Sequence, residues 1–317
     1  MTTATRSKSR AKPKSNKPTP EEKLVEELIT LMESGKQPWR KEWDCTNGGK
    51  QQNFLNHHFY TGQNPALLSF YQMSRGYPLP LWTGAGQLRP KNWRIRKGSK
   101  ACYICMPSKY QVEVENTFGE KVKESRTGGF YFAPIFNVKD IEGEGLNEYI
   151  ARHQGEAEQP RPEPERMENC EKVFAEYHRR ETLETQWTGE RAYYSPSLDI
   201  VTMPERKKFH SAHALYSTWG HELAHSTGHS KRLKRDMSGS FGFHTYAKEE
   251  LVAELSAFLI ADELQINSDT QNHANYLQSW ITCLRKDPSI LKQSLKEAKA
   301  AKDYILHPKE NKSNVNS

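Results

Sequence analysis

Two histidines and a glutamate in one short segment have the spacing of a metal-dependent hydrolase site. His221, Glu222 and His225 form the pattern H-E-x-x-H. If the segment is helical, the two histidines lie one turn apart on the same face and can direct two imidazoles at one metal ion. Glu222 lies between them, where it could take a proton from a water molecule on the metal. The pattern predicts a Zn²⁺ site, with Mn²⁺ or another divalent ion as an alternative.

The residues around this motif favour a helix. Ser211 suits the N-cap position, and Gly228 follows the second histidine and could end the helix. Between them, Leu215, Trp219 and Leu223 recur with the spacing of a buried helical stripe. A pentapeptide with three fixed positions also occurs by chance on surface helices. The metal prediction therefore depends on a third ligand.

A catalytic zinc site needs that third protein ligand, and the segment after the motif offers several carboxylates. Glu250 and Glu254 lie one turn apart on a predicted helix whose inner face is otherwise apolar. A carboxylate at the edge of an apolar helix face requires a partner that pairs with its charge. We expect Glu250 to ligate the metal and Glu254 to accept a hydrogen bond from a ligand histidine and so hold it in place, with Glu249 or Glu254 as alternative ligands. Tyr246 or His244 could stabilise an oxyanion.

A long stretch of the N-terminal half, residues 45–111, contains no Asp or Glu. It combines Lys and Arg with many aromatic residues. Positive side chains that follow phosphates and rings on which bases stack are what a site for single-stranded DNA requires. A duplex hides its base faces and leaves only the electrostatic part. At least half of the rings are expected to be core residues. The predicted DNA-binding residues are Lys50, Arg75, Trp82, Arg89, Lys91, Trp93, Arg94, Arg96, Lys97 and Lys100.

The elements around this stretch predict a small mixed domain over residues 20–141. Apolar residues with helical spacing predict helices over 20–34 and 66–74. Short apolar runs beside turn residues predict strands over 101–106 and 129–138. With a second domain that contains the metal helix, the fold class is α+β.

Residues 142–166 differ in composition from both neighbours. They are rich in Glu and contain prolines at 160, 162 and 164, which predicts a stiff, charged linker. The second domain then extends over 167–305 and is mostly helical. It also contains a predicted strand at 198–203, which we expect to form an exposed sheet edge beside the metal, where a peptide could pair.

The composition predicts a protein of the cytoplasm with a flexible tail at each end of the given sequence. Residues 1–19 form a basic tail and residues 306–317 a polar one, and both are expected to be flexible. The net charge is +7, and the five cysteines have no disulfide spacing, which fits a reducing compartment. Neither a run of 18 apolar residues nor a signal-peptide pattern is present, so no membrane association is expected.

Together these segments resemble the ArdC family of antirestriction proteins. The resemblance covers roughly residues 20–300. The matching segments are 56–68, Trp82-Thr83, Gln87 and Ile95-Arg96-Lys97-Gly98-Ser99-Lys100 in the N-terminal half, and 194–204, 221–229, Arg232-Leu233 and 246–254 in the C-terminal half.

The resemblance implies a single-stranded-DNA-binding domain followed by a zincin-like metallopeptidase domain. It also implies protection of incoming plasmid or phage DNA from restriction in a bacterial host. Three hypotheses follow. The protein could protect DNA by binding alone, with the peptidase fold as a scaffold. It could be a DNA-recruited protease that cleaves a host defence or DNA-bound protein. It could also be a general metallopeptidase whose basic domain is incidental.

Overall fold

A computed structural model describes residues 18–34, 50–115, 120–155, 162–238, 244–266 and 276–307. The predicted flexible tails lie largely outside these ranges, and so does the first of the five cysteines, Cys45. Among the described residues, no helix is both long and apolar enough to cross a membrane.

Helix α1, Pro20–Glu33, confirms the first predicted helix. It begins with a capping box: the Thr19 hydroxyl accepts from the Glu22 backbone N–H, and the Glu22 carboxylate accepts from the Thr19 backbone N–H. Its apolar stripe, which includes Leu24 and Leu28, is buried.

The N-terminal sheet has the strand order β1-β2-β5-β4. These strands are β1 (Gln52–Asn53), β2 (Leu81–Thr83), β4 (Cys102–Glu115) and β5 (Lys121–Asn137). The strands β4 and β5 form an antiparallel ribbon far longer than the two short strands predicted, because its outer part is exposed and polar and so gives no apolar signal.

Helix α2 (Asn64–Arg75) packs against β4. Its first residue holds the strand directly: the Asn64 side chain accepts from the Cys105 N–H at 2.8 Å and donates to the Cys105 carbonyl at 3.1 Å. A short antiparallel pair, β3 (Arg94–Ile95) with β6 (Ile141–Glu142), lies beside this sheet.

Part of the predicted linker is structured. Helix α3, Leu146–Gly155, lies within residues 142–166 and packs Leu146 and Tyr149 against a small core that contains Phe54 and Trp93. The prediction of a linker is therefore corrected over this segment. The Glu-rich composition did not indicate this helix, which contains one glutamate, Glu148, and whose apolar residues fix its inner face.

The C-terminal half opens with α4 (Glu163–Glu181) and a three-stranded sheet of order β7-β9-β8. Its strands are β7 (Glu184–Trp187), β8 (Tyr193–Ser195) and β9 (Ile200–Met203). The strand predicted at 198–203 is thus the central strand rather than an edge, and the edge beside the metal helix is β8.

Helices form the rest of this half. The motif helix is α5 (Ala212–Ser226), and it is followed by α6 (His244–Leu264), α7 (Leu277–Lys286) and α8 (Ser289–Leu306). Pro288 separates α7 from α8, because proline cannot continue a helix that precedes it.

The two halves of the chain share one hydrophobic core. Leu28 on α1 and Leu67 on α2 belong to the same buried cluster as Leu255 on α6 and Trp280 on α7. Helix α1 packs directly against α7. The DNA-binding and peptidase regions predicted as separate domains are therefore packed together, and the metal helices are supported partly by N-terminal residues.

Candidate metal centre

The motif helix α5 presents both histidines on one buried face. Ser211 is its N-cap, as predicted, and accepts a hydrogen bond from the Ala214 N–H. His221 and His225 are 9% and 8% exposed, and their Nε2 atoms lie 3.1 Å apart. The one-turn spacing in the sequence therefore produces two converging nitrogens, as the motif predicted.

Glu250, on α6, completes a three-donor cluster. Its Oε2 lies 3.7 Å from His221 Nε2 and its Oε1 lies 3.5 Å from His225 Nε2. The three ligand atoms lie within 4.8 Å of one another. Two donors at zinc bond lengths on a tetrahedron are roughly 3.3 Å apart. The measured separations therefore fit a divalent cation.

The other nitrogen of each imidazole faces a different carboxylate. His221 Nδ1 lies 3.3 Å from Glu254, which was expected to hold one of the ligand histidines, and His225 Nδ1 lies 3.2 Å from Glu249. Carboxylates at Nδ1 favour the tautomer with Nε2 unprotonated. Two such Nε2 lone pairs 3.1 Å apart repel each other unless a cation lies between them.

The carboxylates also raise the affinity of the metal-free site for protons. Burial disfavours a charged imidazole, but Glu250 and Glu249 outweigh it and raise the pKa of His225 well above its ordinary value. Burial also lowers the pKa of His221, but Glu254 and Glu250 more than offset this effect, so the pKa of His221 is raised as well. The site thus attracts positive charge, whether as protons or as a metal ion.

Glu222 lies beside the cluster without joining it. Burial raises the pKa of its carboxyl group, although the nearby histidines oppose this shift. The backbone of Tyr194 on β8 also opposes the shift. A buried carboxylate with a raised pKa is suited to accept a proton near neutral pH.

A cleft of about 930 Å³ opens over these residues. Its walls include the edge strand β8 through Tyr193 and Tyr194, and Tyr246 from α6. The Tyr246 hydroxyl lies 3.1 Å from that of Tyr276, a residue at the start of α7 that no motif in the sequence indicated. Burial and the hydrogen bond with Tyr276 raise the pKa of Tyr246, so its hydroxyl remains a proton donor. The side chain of His244, the alternative to Tyr246, lies outside the described residues.

Most of the basic residues predicted to bind DNA are exposed. They are Lys50, Arg89, Lys91, Arg94, Arg96, Lys97 and Lys100. Some make local contacts: Arg94 pairs with Glu142 at 2.7 Å, and the Lys91 ammonium lies 4.9 Å from the Tyr149 ring centroid. The basic segment before β4 is therefore accessible to a partner.

Three other predicted DNA contacts are wrong. Trp82 is fully buried and donates to Gln51 Oε1 at 2.6 Å, so no base can stack on it. Trp93 is 7% exposed and donates to the Glu144 carbonyl. Arg75 is paired with Glu27 on α1 at 2.8 Å and therefore joins two helices instead of facing solvent.

Different aromatic residues are exposed in the N-terminal half. Phe59 is 40% exposed and lies near Lys50, whose ammonium is 6.0 Å from the ring centroid. On the β4–β5 ribbon, Tyr110, Phe130 and Tyr131 are 51%, 61% and 54% exposed. Phe130 and Tyr131 were missed because they lie beyond the acid-free stretch. Their aromatic character alone did not indicate exposure.

Two family models match the chain in succession. Residues 19–138 match the N-terminal domain of anti-restriction factor ArdC, and residues 169–297 match a zincin-like metallopeptidase. Two crystal structures of the antirestriction ArdC protein from the R388 plasmid, metal-free and Mn(II)-bound, are 27% and 25% identical to this chain. Each aligns with a TM-score of 0.62 and covers 90% of this chain and 96% of the other.

Curated relatives show the same region in other contexts. DNA primase TraC of Escherichia coli is 32% identical over 299 residues, which is 90% of this chain but 20% of the primase. The chain therefore spans about a fifth of the length of that relative. An uncharacterized protein, y4eC of Sinorhizobium fredii, is 26% identical and matches over 90% of both chains.

Proposed function

We propose that this chain, in which a match to the ArdC N-terminal domain precedes a match to a zincin-like metallopeptidase domain, is an antirestriction protein of the ArdC type. It binds single-stranded DNA of a mobile element entering a bacterial cytoplasm and protects that DNA from restriction. The observation that supports this most is the co-occurrence of the two matched regions with an exposed basic segment in the first.

DNA binding is proposed to use two kinds of contact. The exposed basic residues before β4 attract phosphates, which gives a salt-dependent affinity. The exposed rings Phe59, Tyr110, Phe130 and Tyr131 offer faces to unstacked bases. These rings replace Trp82 and Trp93 in the proposal, because stacking requires an accessible face.

The C-terminal region is proposed to be a metal-dependent peptidase site. His221, His225 and Glu250 would hold Zn²⁺, or Mn²⁺, which when bound polarises a water molecule and a substrate carbonyl. Glu222 accepts the proton of the attacking water and returns it to the leaving amine. Tyr246 donates a hydrogen bond to the developing oxyanion. An extended peptide could pair with β8, which borders the cleft that Glu222 also lines.

The alternative is a DNA-recruited metalloprotease that cleaves a host defence protein or another DNA-bound protein. It is favoured by the intact set of three ligands and a general base, which a scaffold would not need. Under this alternative, DNA binding delivers the peptidase to its substrate. Protection then requires hydrolysis.

Glu222→Gln tests which function protects DNA. The change is isosteric and removes the proton acceptor without removing a metal ligand. Transfer of an unmodified plasmid into a restricting host measures protection, and metal content verifies the site. If protection by the E222Q variant equals that of the wild type, binding is sufficient. If protection is lost while DNA binding and metal content persist, the protease alternative is correct.

A further inference from the structure

Arg235 is a buried cation in the segment that follows the metal helix. Its side chain is 6% exposed. Its Nε donates to Glu249 Oε2 at 2.9 Å, and its Nη2 donates to Glu249 Oε1 at 2.7 Å. One guanidinium thus engages both oxygens of one carboxylate, in the planar two-bond geometry for which arginine is suited.

The same guanidinium contacts the end of the motif helix. Its Nη1 donates to Thr227 Oγ1 at 2.7 Å, and its Nη2 donates to the Ala224 carbonyl at 2.8 Å. Gly228 allows this close approach, because a Cβ at that position would lie 3.0 Å from Arg235 Nη2 and 2.8 Å from Met237 Sδ. Arg235 therefore joins α5, which provides the two histidines, to α6, which provides the glutamates.

We infer that Arg235 is a positioning residue of the metal centre that acts through Glu249 on His225. Glu249 Oε1 lies 3.2 Å from His225 Nδ1. A carboxylate fixed there accepts the Nδ1 proton and leaves Nε2 directed at the metal. Loss of Arg235 would free Glu249 to rotate and would leave its charge buried without its main partner.

The same contacts determine which glutamate is the ligand. Both oxygens of Glu249 are engaged by Arg235, whereas the oxygens of Glu250 face the two Nε2 atoms at 3.5 and 3.7 Å. The sequence alone left Glu249 and Glu250 as competing ligands. Arg235 assigns Glu249 to orienting His225 and leaves Glu250 to bind the cation.

This inference rests on the proposed metal site, and Co²⁺ binding to the full-length protein tests it. The visible absorption of bound Co²⁺ reports both affinity and ligand geometry. The Arg235→Gln variant should bind Co²⁺ roughly 10–100-fold more weakly, the range typical for partners of ligand residues, and its absorption bands should shift. The Arg235→Lys variant should recover part of the affinity, since lysine restores the charge but not both hydrogen bonds.

Arg232→Gln is the matched control. Arg232 is three residues away and its side chain is 1% exposed, but it pairs with Asp199 at 2.8 Å and Glu181 at 3.1 Å rather than with Glu249. Removing either arginine should lower the melting temperature, and only the Arg235 change should alter Co²⁺ affinity and spectrum. The double variant R235Q/E249Q should bind Co²⁺ no more weakly than whichever of the single variants R235Q and E249Q binds it less tightly. Both changes interrupt the same contacts, which run from Arg235 through Glu249 to His225.

Two results would overturn the inference. One is wild-type Co²⁺ affinity and spectrum in the R235Q variant. The other is an equal loss of affinity in R235Q and R232Q, which would show a general effect of stability. A wild-type protein that bound neither Co²⁺ nor Mn²⁺ would instead refute the proposed metal site itself, so the two failures are distinguishable.

Discussion

Leu28→Ala should destabilise the metal region although Leu28 lies on the first helix. The side chain is 2% exposed and belongs to the core cluster shared by α1, α2, α6 and α7. Truncating a buried leucine removes apolar burial and leaves a cavity, which costs about 2–5 kcal/mol. Because one core supports both halves, this loss should apply to the whole protein and not to an N-terminal unit alone.

Urea unfolding with two probes measures this effect. Tryptophan fluorescence follows the whole chain, and release of bound Co²⁺ follows the metal site. In the variant, both midpoints should move to lower urea by the same amount with an unchanged slope. Leu198→Ala is the control, since Leu198 is 70% exposed and its truncation should cost little. The shared core would be refuted if the fluorescence of the variant showed two separate transitions while its Co²⁺ release kept the urea midpoint of the wild type.

Further predictions concern the metal site and the DNA surface. Glu250→Gln should abolish stoichiometric metal binding measured by calorimetry, whereas Glu222→Gln should retain it; equal retention would remove Glu250 from the ligand set. Metal affinity should fall as pH is lowered through the raised pKa values of the two ligand histidines, hence beginning above their ordinary value of 6.5, because binding must displace protons; a flat profile from pH 6 to 9 would contradict this. If the protein hydrolyses a peptide, Tyr246→Phe should lower kcat by about 10²-fold with little change in KM; a change in KM alone would exclude an oxyanion role. The double change Phe130→Ser and Tyr131→Ser should weaken single-strand binding by at least about 1 kcal/mol, the lower end for one stacked base; an unchanged affinity in fluorescence anisotropy would remove the ribbon from the DNA surface.

Local spacing was sufficient to predict the centre of the metal site. His221 and His225 lie one helical turn apart, so their convergence follows from helix geometry alone. Glu250 was identified because a carboxylate beside an apolar helix face needs a partner, and the structure places its oxygens beside both Nε2 atoms. Choosing between Glu249 and Glu250 required Arg235, whose position depends on how the segment after α5 returns over the helix end.

Contacts between distant segments explain the errors. Trp82 packs in the main core, where Gln51, 31 residues upstream, accepts its indole N–H. Arg75 is held by Glu27, 48 residues upstream. A prediction from composition includes every basic or aromatic residue, whether or not its side chain faces solvent. Only the tertiary arrangement separates the exposed basic segment before β4 from these internal contacts.

The shared core was likewise not visible in the pattern of residues. The stripe of α1 predicts a buried face but does not identify what covers it. The change in composition at 142–166 favoured a boundary between independent domains. In the structure, α1 packs on α7, although more than 200 residues separate the two helices in the sequence. Tests of DNA binding therefore need the full chain, because an isolated N-terminal fragment would expose this core.

The most direct test of the proposed function is binding of the full-length protein to a fluorescent single strand and to the matching duplex across a salt series. We predict tighter binding to the single strand, with a preference that persists at moderate salt, because stacking on exposed rings does not depend on counterion release. Equal affinities that decline together as salt increases would contradict this. They would reduce the N-terminal half to a non-specific basic surface attached to a metallopeptidase.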